Sequence, residues 1–159
     1  MRGQSIITTL AGTDWLFPSF SSLTKATDLP IGVVYGVAVD RNGNFYGGDC
    51  DNHFIFRIDT LGRYSIIAGS GQFGFTESGR LAVGARMSCP ESLTFDRNDE
   101  LLFLEGSLIR KLTKDGRLVT IGGGGKSTGE NTQALLSLLD DDLTGLAADL
   151  SGNIYFCLL

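Results

Sequence analysis

Gly36-Val37-Ala38-Val39-Asp40-Arg41-Asn42-Gly43-Asn44-Phe45-Tyr46 is an apolar run, an aspartate, a short polar turn and an aromatic run. The same order returns as Ser92-Leu93-Thr94-Phe95-Asp96-Arg97-Asn98-Asp99-Glu100-Leu101-Leu102. It returns again as Gly145-Leu146-Ala147-Ala148-Asp149-Leu150-Ser151-Gly152-Asn153-Ile154-Tyr155. The aligned aspartates, at 40, 96 and 149, step by 56 and then 53 (96−40 and 149−96). A second anchor keeps the period: Leu10-Ala11-Gly12, Ile67-Ala68-Gly69 and Ile121-Gly122-Gly123 step by 57 and 54 at their last glycines (69−12 and 123−69). Ile55-Phe56-Arg57-Ile58 and Ile109-Arg110-Lys111-Leu112 supply a third anchor, 54 residues apart (109−55). Independent anchors on one period of about 54 residues define a stacked or circular repeat.

Each unit reads as four short strands separated by turns, the turn glycines supplying the positive φ that tight hairpins need. Strands are expected near residues 6–10, 35–40, 44–48, 54–59, 63–68, 92–96, 101–104, 108–113, 117–121, 145–149 and 153–157. Val37-Ala38-Val39 and Leu101-Leu102-Phe103-Leu104 are apolar at successive positions, so both faces of the sheet must be covered. A four-stranded antiparallel sheet covered on both faces by its sequence neighbours is a propeller blade. The fold class is therefore all-β, a partial β-propeller of about three blades. The units run approximately over 13–69, 70–123 and 124–159, and residues 1–12 close a preceding blade. Short helical turns are expected in the connectors, at Leu81 to Met87 and Gln133 to Leu139.

Composition agrees with this reading. The chain has 159 residues, 42% of them hydrophobic, with 22 Gly against 3 Pro. That is enough apolar material for one domain with a core and many tight turns. The formal charge of −5 argues against nucleic acid, which is gripped by clustered cations, and gives no attraction to an anionic membrane surface. Cys50, Cys89 and Cys157 are widely spaced and odd in number. They match neither a disulfide framework nor a zinc spacing and read as buried or incidental thiols. No compartment follows from them.

At these residues the chain resembles the NHL-repeat family, in its long-repeat, six-bladed propeller form. The resemblance rests on Gly36 to Asp40, Gly43-Asn44-Phe45-Tyr46, Asp49 with Asn52, Ile6-Ile7-Thr8-Thr9-Leu10-Ala11-Gly12, and the connector Gly79-Arg80-Leu81-Ala82-Val83-Gly84-Ala85-Arg86-Met87. It covers nearly the whole chain. The departures are specific: Phe54 and Leu108 stand where the family has a strand-three Arg, Asp99 replaces the turn Gly, and Glu105 replaces the acid at Asp49. The resemblance implies a propeller whose rim loops serve recognition.

No catalytic, cofactor or metal constellation is visible. Gly122-Gly123-Gly124-Gly125-Lys126-Ser127-Thr128 looks like a phosphate loop, but Thr120 stands where that pattern needs its first Gly. The run also occupies the slot of Ala68-Gly69-Ser70-Gly71 one repeat earlier. Asp49-Cys50-Asp51-Asn52-His53 gathers carboxylates and the chain's single His. It lacks the oxygen order of a calcium loop and reads as a turn in which Asp and Asn bind backbone N–H groups. Arg57, Arg110 and Lys111 are expected to face solvent or a carboxylate of their own blade. A candidate interaction surface comprises Trp15, Phe17 and Phe20 of the first connector together with Asp49, Asp51 and His53.

The residues favour a non-catalytic scaffold that binds a protein, glycan or peptide partner on its rim. The competing class is a propeller hydrolase or lyase of the lactonase type, its axial metal site incomplete in this chain. About three repeats do not close a six-bladed ring, so open sheet edges and an uncovered blade face are expected at both ends. A fragment of a larger propeller, or two chains forming one ring, would cover them.

Overall fold

The structure is a computed structural model that describes residues 25–128, 133–139 and 143–158. The first sheet contains β1 (Val34–Val39), β2 (Phe45–Asp49), β3 (Phe54–Ile58) and β4 (Tyr64–Gly69), hydrogen-bonded in chain order. The second contains β5 (Arg80–Leu81), β6 (Pro90–Phe95), β7 (Leu101–Glu105), β8 (Leu108–Leu112) and β9 (Arg117–Gly123), in the order β5-β9-β8-β7-β6. β10 (Leu143–Ala148) pairs with β11 (Ile154–Leu158) to begin a third. Every expected strand within the described residues is present, to within one residue at its ends, except that β6 and β10 begin two residues early and β9 ends two residues late. The strand expected at 6–10 lies outside the described residues.

One device makes the first hairpin of every blade. Asp40 Oδ1 accepts the backbone N–H groups of Asn42 and Asn44, both at 2.9 Å. Asp96 Oδ1 accepts those of Asn98 and Glu100 at 2.8 and 3.0 Å, and Asp149 Oδ1 accepts that of Asn153 at 2.8 Å. The aspartate ending the first strand thus satisfies the turn's backbone donors, which is why it marks the repeat.

The blades stack through their apolar faces. Leu93 on the first strand of blade 2 joins Ile55 and Ala68 of blade 1 in one buried cluster with Leu101, Phe103 and Leu118. Phe95 meets Tyr46 edge to face at 5.0 Å between centroids. Leu104 and Ile109 of blade 2 pack in turn against Leu143 of blade 3. The inner strands come close together: a Cβ at Gly36 would sit 2.5 Å from Ser92 N and 2.8 Å from Leu93 N. One blade on, Ser92 Oγ accepts the Leu146 N–H at 2.8 Å. On the hairpin side an arginine relay links the blades, Arg41 donating to the Arg97 carbonyl at 3.1 Å and Arg97 to the Ser151 carbonyl at 3.2 Å.

Blade 1 is unevenly covered on its other face. Ala26 and Leu29 of the preceding connector pack over Phe54, Phe56 and Ile58. Nearer the inner edge, Tyr35, Val37 and Val39 stay 62%, 57% and 61% exposed. Val37 and Val39 hold the repeat positions of Leu93 and Phe95, the residues blade 2 lays against blade 1.

Two expectations are corrected. Residues 81–87 hold no helical turn: Leu81 ends β5, and a reverse turn follows, with Ala85 N–H donating to the Ala82 carbonyl at 3.2 Å. β5 adds a fifth strand to blade 2, so the connector augments a sheet where a helical turn was expected. The second connector does contain a short 3-10 turn, Ala134–Leu136. The cysteine reading also changes, because Cys50 and Cys89 form a disulfide. The bond ties the β2–β3 loop of blade 1 to the residue before β6. Cys157 is a free, exposed thiol.

The disulfide spans 39 residues of sequence, and a loop of that size removes about 2–4 kcal/mol of unfolded-chain entropy. Cys89→Ser, or reduction of the wild-type chain, is expected to lower unfolding stability by about that amount. Urea titrations with and without reductant measure it, and coincident midpoints would refute the staple.

Candidate functional site

The two acids at the ends of the second strands serve the backbone. Asp49 is fully buried. It accepts the Gly32 N–H at 2.8 Å, the Asn52 N–H at 3.0 Å and the Asn52 side-chain amide at 2.8 Å. Its burial removes it from any contact surface. Asp51 is exposed and accepts the Val33 N–H at 3.1 Å. His53 Nδ1 lies 2.7 Å from the Ser88 carbonyl, and its ring meets Phe73 edge on at 5.4 Å. His53 therefore joins the two blades beside the disulfide, and of the described candidates Asp51 and the half-buried His53 reach the surface. Trp15, Phe17 and Phe20 lie outside the described residues.

Glu105 holds the repeat position of Asp49 and does the same work, accepting the Ser88 N–H at 2.9 Å. Beside it lies the fully buried Arg110, with 3.5 Å between Nε and Glu105 Oε2. Arg110 also donates to Thr120 Oγ1 at 3.0 Å and to the Thr76 carbonyl at 2.8 Å, and stacks 5.0 Å over the Phe75 ring. Burial pushes the Glu105 carboxyl up, against the pull of the Ser88 N–H and Arg110. Burial also pushes the Arg110 guanidinium down, against the attraction of Glu105. So Arg110 faces a carboxylate of its own blade, as expected, and its role is to hold the connector at Thr76.

Gly122 and Gly123 end β9, and Gly125 N–H donates to the Ser137 carbonyl at 3.1 Å. Residues 124–128 are extended or bent, and no helix begins among these described residues where a phosphate loop needs one.

Glu105 Oε2 and Arg110 Nε are buried without a hydrogen-bond partner; a second place with such atoms is a cavity between blades 1 and 2 on the hairpin side. It has a volume of about 390 Å³ and apolar walls from Ile66, Ile67, Val83, Phe95, Leu101 and Leu112. Tyr46, Arg57, Asp99, Thr113 and Lys114 supply its polar groups. Tyr46 donates to Asp40 Oδ2 at 3.0 Å. Burial, and then the Asp40 carboxylate, push its hydroxyl up to about 12, so the phenol stays protonated. Arg57 Nε and Asp99 Oδ1 are buried without a hydrogen-bond partner, the nearest cation to Asp99 being Arg41 Nε at 4.0 Å. Asp99 occupies a left-handed conformation, φ 62°, at the position where the first repeat has Gly43. Sequence reasoning read Asp99 only as a departure from the repeat. The signal was there, because a carboxylate replacing a turn glycine costs backbone strain.

No protein-family model matches the chain. Among solved structures it is similar to a protein of unknown function from Bacteroides thetaiotaomicron, at 20% identity and a TM-score of 0.67, with 83% of this chain and 35% of that one covered. It is similar to an auxiliary nutrient binding protein from Bacteroides ovatus at 22% identity and a TM-score of 0.61, with 82% and 36% covered. It also resembles virginiamycin B lyase from Staphylococcus aureus at 17% identity and a TM-score of 0.50, with 84% and 36% covered. The chain thus spans about a third of the length of the structures it matches. With the stacked sheets described above, these likenesses establish the fold: the chain is all-β, a partial β-propeller.

The turn aspartates make a measurable prediction. Burial works to raise the Asp96 carboxyl. The Glu100 N–H, the Lys111 ammonium and the Asn98 N–H outweigh it and hold the group below its ordinary 3.8. A carboxyl lowered on folding contributes stability above its unfolded pKa and loses it as pH falls through the folded value. Asp96→Ala is expected to cost about 1.5–3 kcal/mol at neutral pH. The deficit should shrink below pH 3.8, where wild-type Asp96 also loses its charge. Denaturant titrations across that range measure it, and a pH-independent deficit would count against the clamp.

Proposed function

We propose that the chain is an NHL-type β-propeller scaffold, non-catalytic, that recognises a protein, glycan or peptide through its rim. The carrying observation is the connector between blades 1 and 2. It is braced by the disulfide, Arg110 and His53, yet it presents Phe73 and Phe75 71% and 56% exposed. Exposed aromatics on a rigid frame are the usual substance of a recognition surface. The fold does not choose the activity, since a lyase and a nutrient binding protein share it.

The test sets recognition against catalysis. The chain is screened on arrays of peptides and oligosaccharides, and assayed for lactone hydrolysis and lyase activity with added calcium or magnesium. Saturable binding that Phe73→Ser weakens, without turnover, supports the scaffold. Metal-dependent turnover, or an array without a binder, overturns it.

The uncovered Tyr35, Val37 and Val39 support a second element of the reading. Another propeller blade covers them, whether from a longer chain or from a second copy. The isolated chain is then expected to self-associate, and Val37→Glu with Val39→Glu to reduce the association. Sedimentation that finds a compact monomer with a cooperative thermal transition sinks this element and leaves the recognition reading untouched.

A further inference from the structure

The repeat supplies an internal control for Arg57. Lys111 holds its position one unit later, and the Lys111 ammonium bonds Asp96 Oδ2 and Glu100 Oε2, each at 3.0 Å. In the first unit Asn44 stands where Glu100 does. The Asn44 side-chain amide and the Tyr46 hydroxyl both donate to Asp40 Oδ2, at 2.6 and 3.0 Å. The oxygen that would receive the Arg57 guanidinium is taken by two neutral donors. Arg57 is left lining the interblade cavity, and among the described residues no group hydrogen-bonds or ion-pairs its guanidinium. Its terminal nitrogens, unlike the enclosed Nε, are open to a ligand, and an anion placed there makes charge-assisted bonds that the protein does not supply.

The rest of the cavity restricts that ligand. Arg57 and Lys114 bring two positive charges and Asp99 one negative, giving a net positive pocket on a chain of charge −5. Asp99 also lines the cavity, its Oδ1 enclosed and 4.0 Å from Arg41 Nε, which leaves Oδ2 as the acceptor a ligand can reach. The walls are aliphatic and aromatic, and about 390 Å³ is within the range of pockets that bury a small ligand group. The complement is a monoanion that also offers an N–H and an apolar body.

We propose that the cleft between blades 1 and 2 binds the C-terminal residue of a peptide that ends in an apolar amino acid. The terminal carboxylate meets Arg57 and Lys114, the last amide N–H donates to Asp99, and the side chain fills the space between Ile67, Val83 and Leu112. The proposal rests on the recognition reading and names its partner chemistry.

The experiment measures binding of acetyl-Gly-Gly-Leu as the free acid and as the C-terminal amide, with free leucine as a third probe, to the full chain by calorimetry. The acid is expected to bind about tenfold or more tighter than the amide, the worth of one charge-assisted bond. Arg57→Gln should abolish that preference. Asp99→Gly should weaken the acid several-fold, and as the residue of the first repeat it suits the positive φ. Any loss there is not a folding defect, as an unchanged melting curve will show. Equal binding of acid and amide, an Arg57→Gln variant that binds like wild type, or free leucine binding more tightly than the tripeptide would each overturn the proposal. If these probes fail while the arrays still yield a binder insensitive to Arg57→Gln, the cleft assignment falls and the scaffold stands.

Discussion

A sheet that is apolar on both faces has to be covered on both, and this constraint governs the structure. Leu93 and Phe95 alternate with residues that face the next blade, so one strand supplies two interfaces at once. Burying a side chain of that size is worth about 1.5–3 kcal/mol. Blade 2 therefore draws stability from blade 1 through Leu93, Phe95 and Phe103 and from blade 3 through Leu104 and Ile109. The close approach carries a steric condition. Gly36 admits the Ser92 backbone, and Gly48 admits the Pro90 carbonyl, which any Cβ would strike. The disulfide, the His53 contact to Ser88 and the arginine relay all join the same two blades or their successor. Each reinforces an interface that apolar burial has already specified.

The fold was legible because its rules are local and recur. Asp40, Asp96 and Asp149 each satisfy their own hairpin, so spacing alone located three inner strands. Gly69 and Gly123, at φ 98° and 79°, end the fourth strands where any side chain would strike the backbone of β3 or the residue before β8. What the sequence hid was long-range. Cys50 and Cys89 belong to different units and have no repeated counterpart, so no periodicity points to their pairing. β5 is two residues long and pairs with β9 across three strands intervening in the sequence, Arg80 opposite Leu118, which no strand propensity reveals. The buried Asp49 looked like a surface acid because its partners, Gly32 and Asn52, are backbone groups and an amide without a charge pattern.

The repeats also show how side-chain chemistry is exchanged on a constant backbone. Gly47 and Phe56 are cross-strand partners in blade 1; Phe103 and Arg110 hold the same two places in blade 2. In the first pair the glycine makes room for the Phe56 ring. In the second the aromatic moves to the other strand, and a buried guanidinium takes the vacated place. Acceptors change with that exchange: Glu105 replaces Asp49 and sits 3.5 Å from Nε, which makes no hydrogen bond, while Thr120 and the Thr76 carbonyl each take a terminal nitrogen. A buried cation whose acceptors were missing would destabilise by several kcal/mol.

Arg57 and Lys111 form the parallel case, and there the exchange is incomplete. In blade 2 the pair of acids at 96 and 100 neutralises Lys111. In blade 1 Asn44 stands at the second acid's position and Tyr46 takes the first, as Asn153 and Tyr155 do on Asp149 in blade 3. The residues that tighten the Asp40 turn leave the Arg57 guanidinium to the cleft. Asp99, which departs from the turn glycine, brings an acceptor to the opposite wall. Arg57 and Asp99, on different blades, thus line one cavity with charges of opposite sign. Asp99 departs from the turn glycine that the other two repeats keep at Gly43 and Gly152 at a cost in backbone strain, which is the physical reason to place recognition chemistry at this interface.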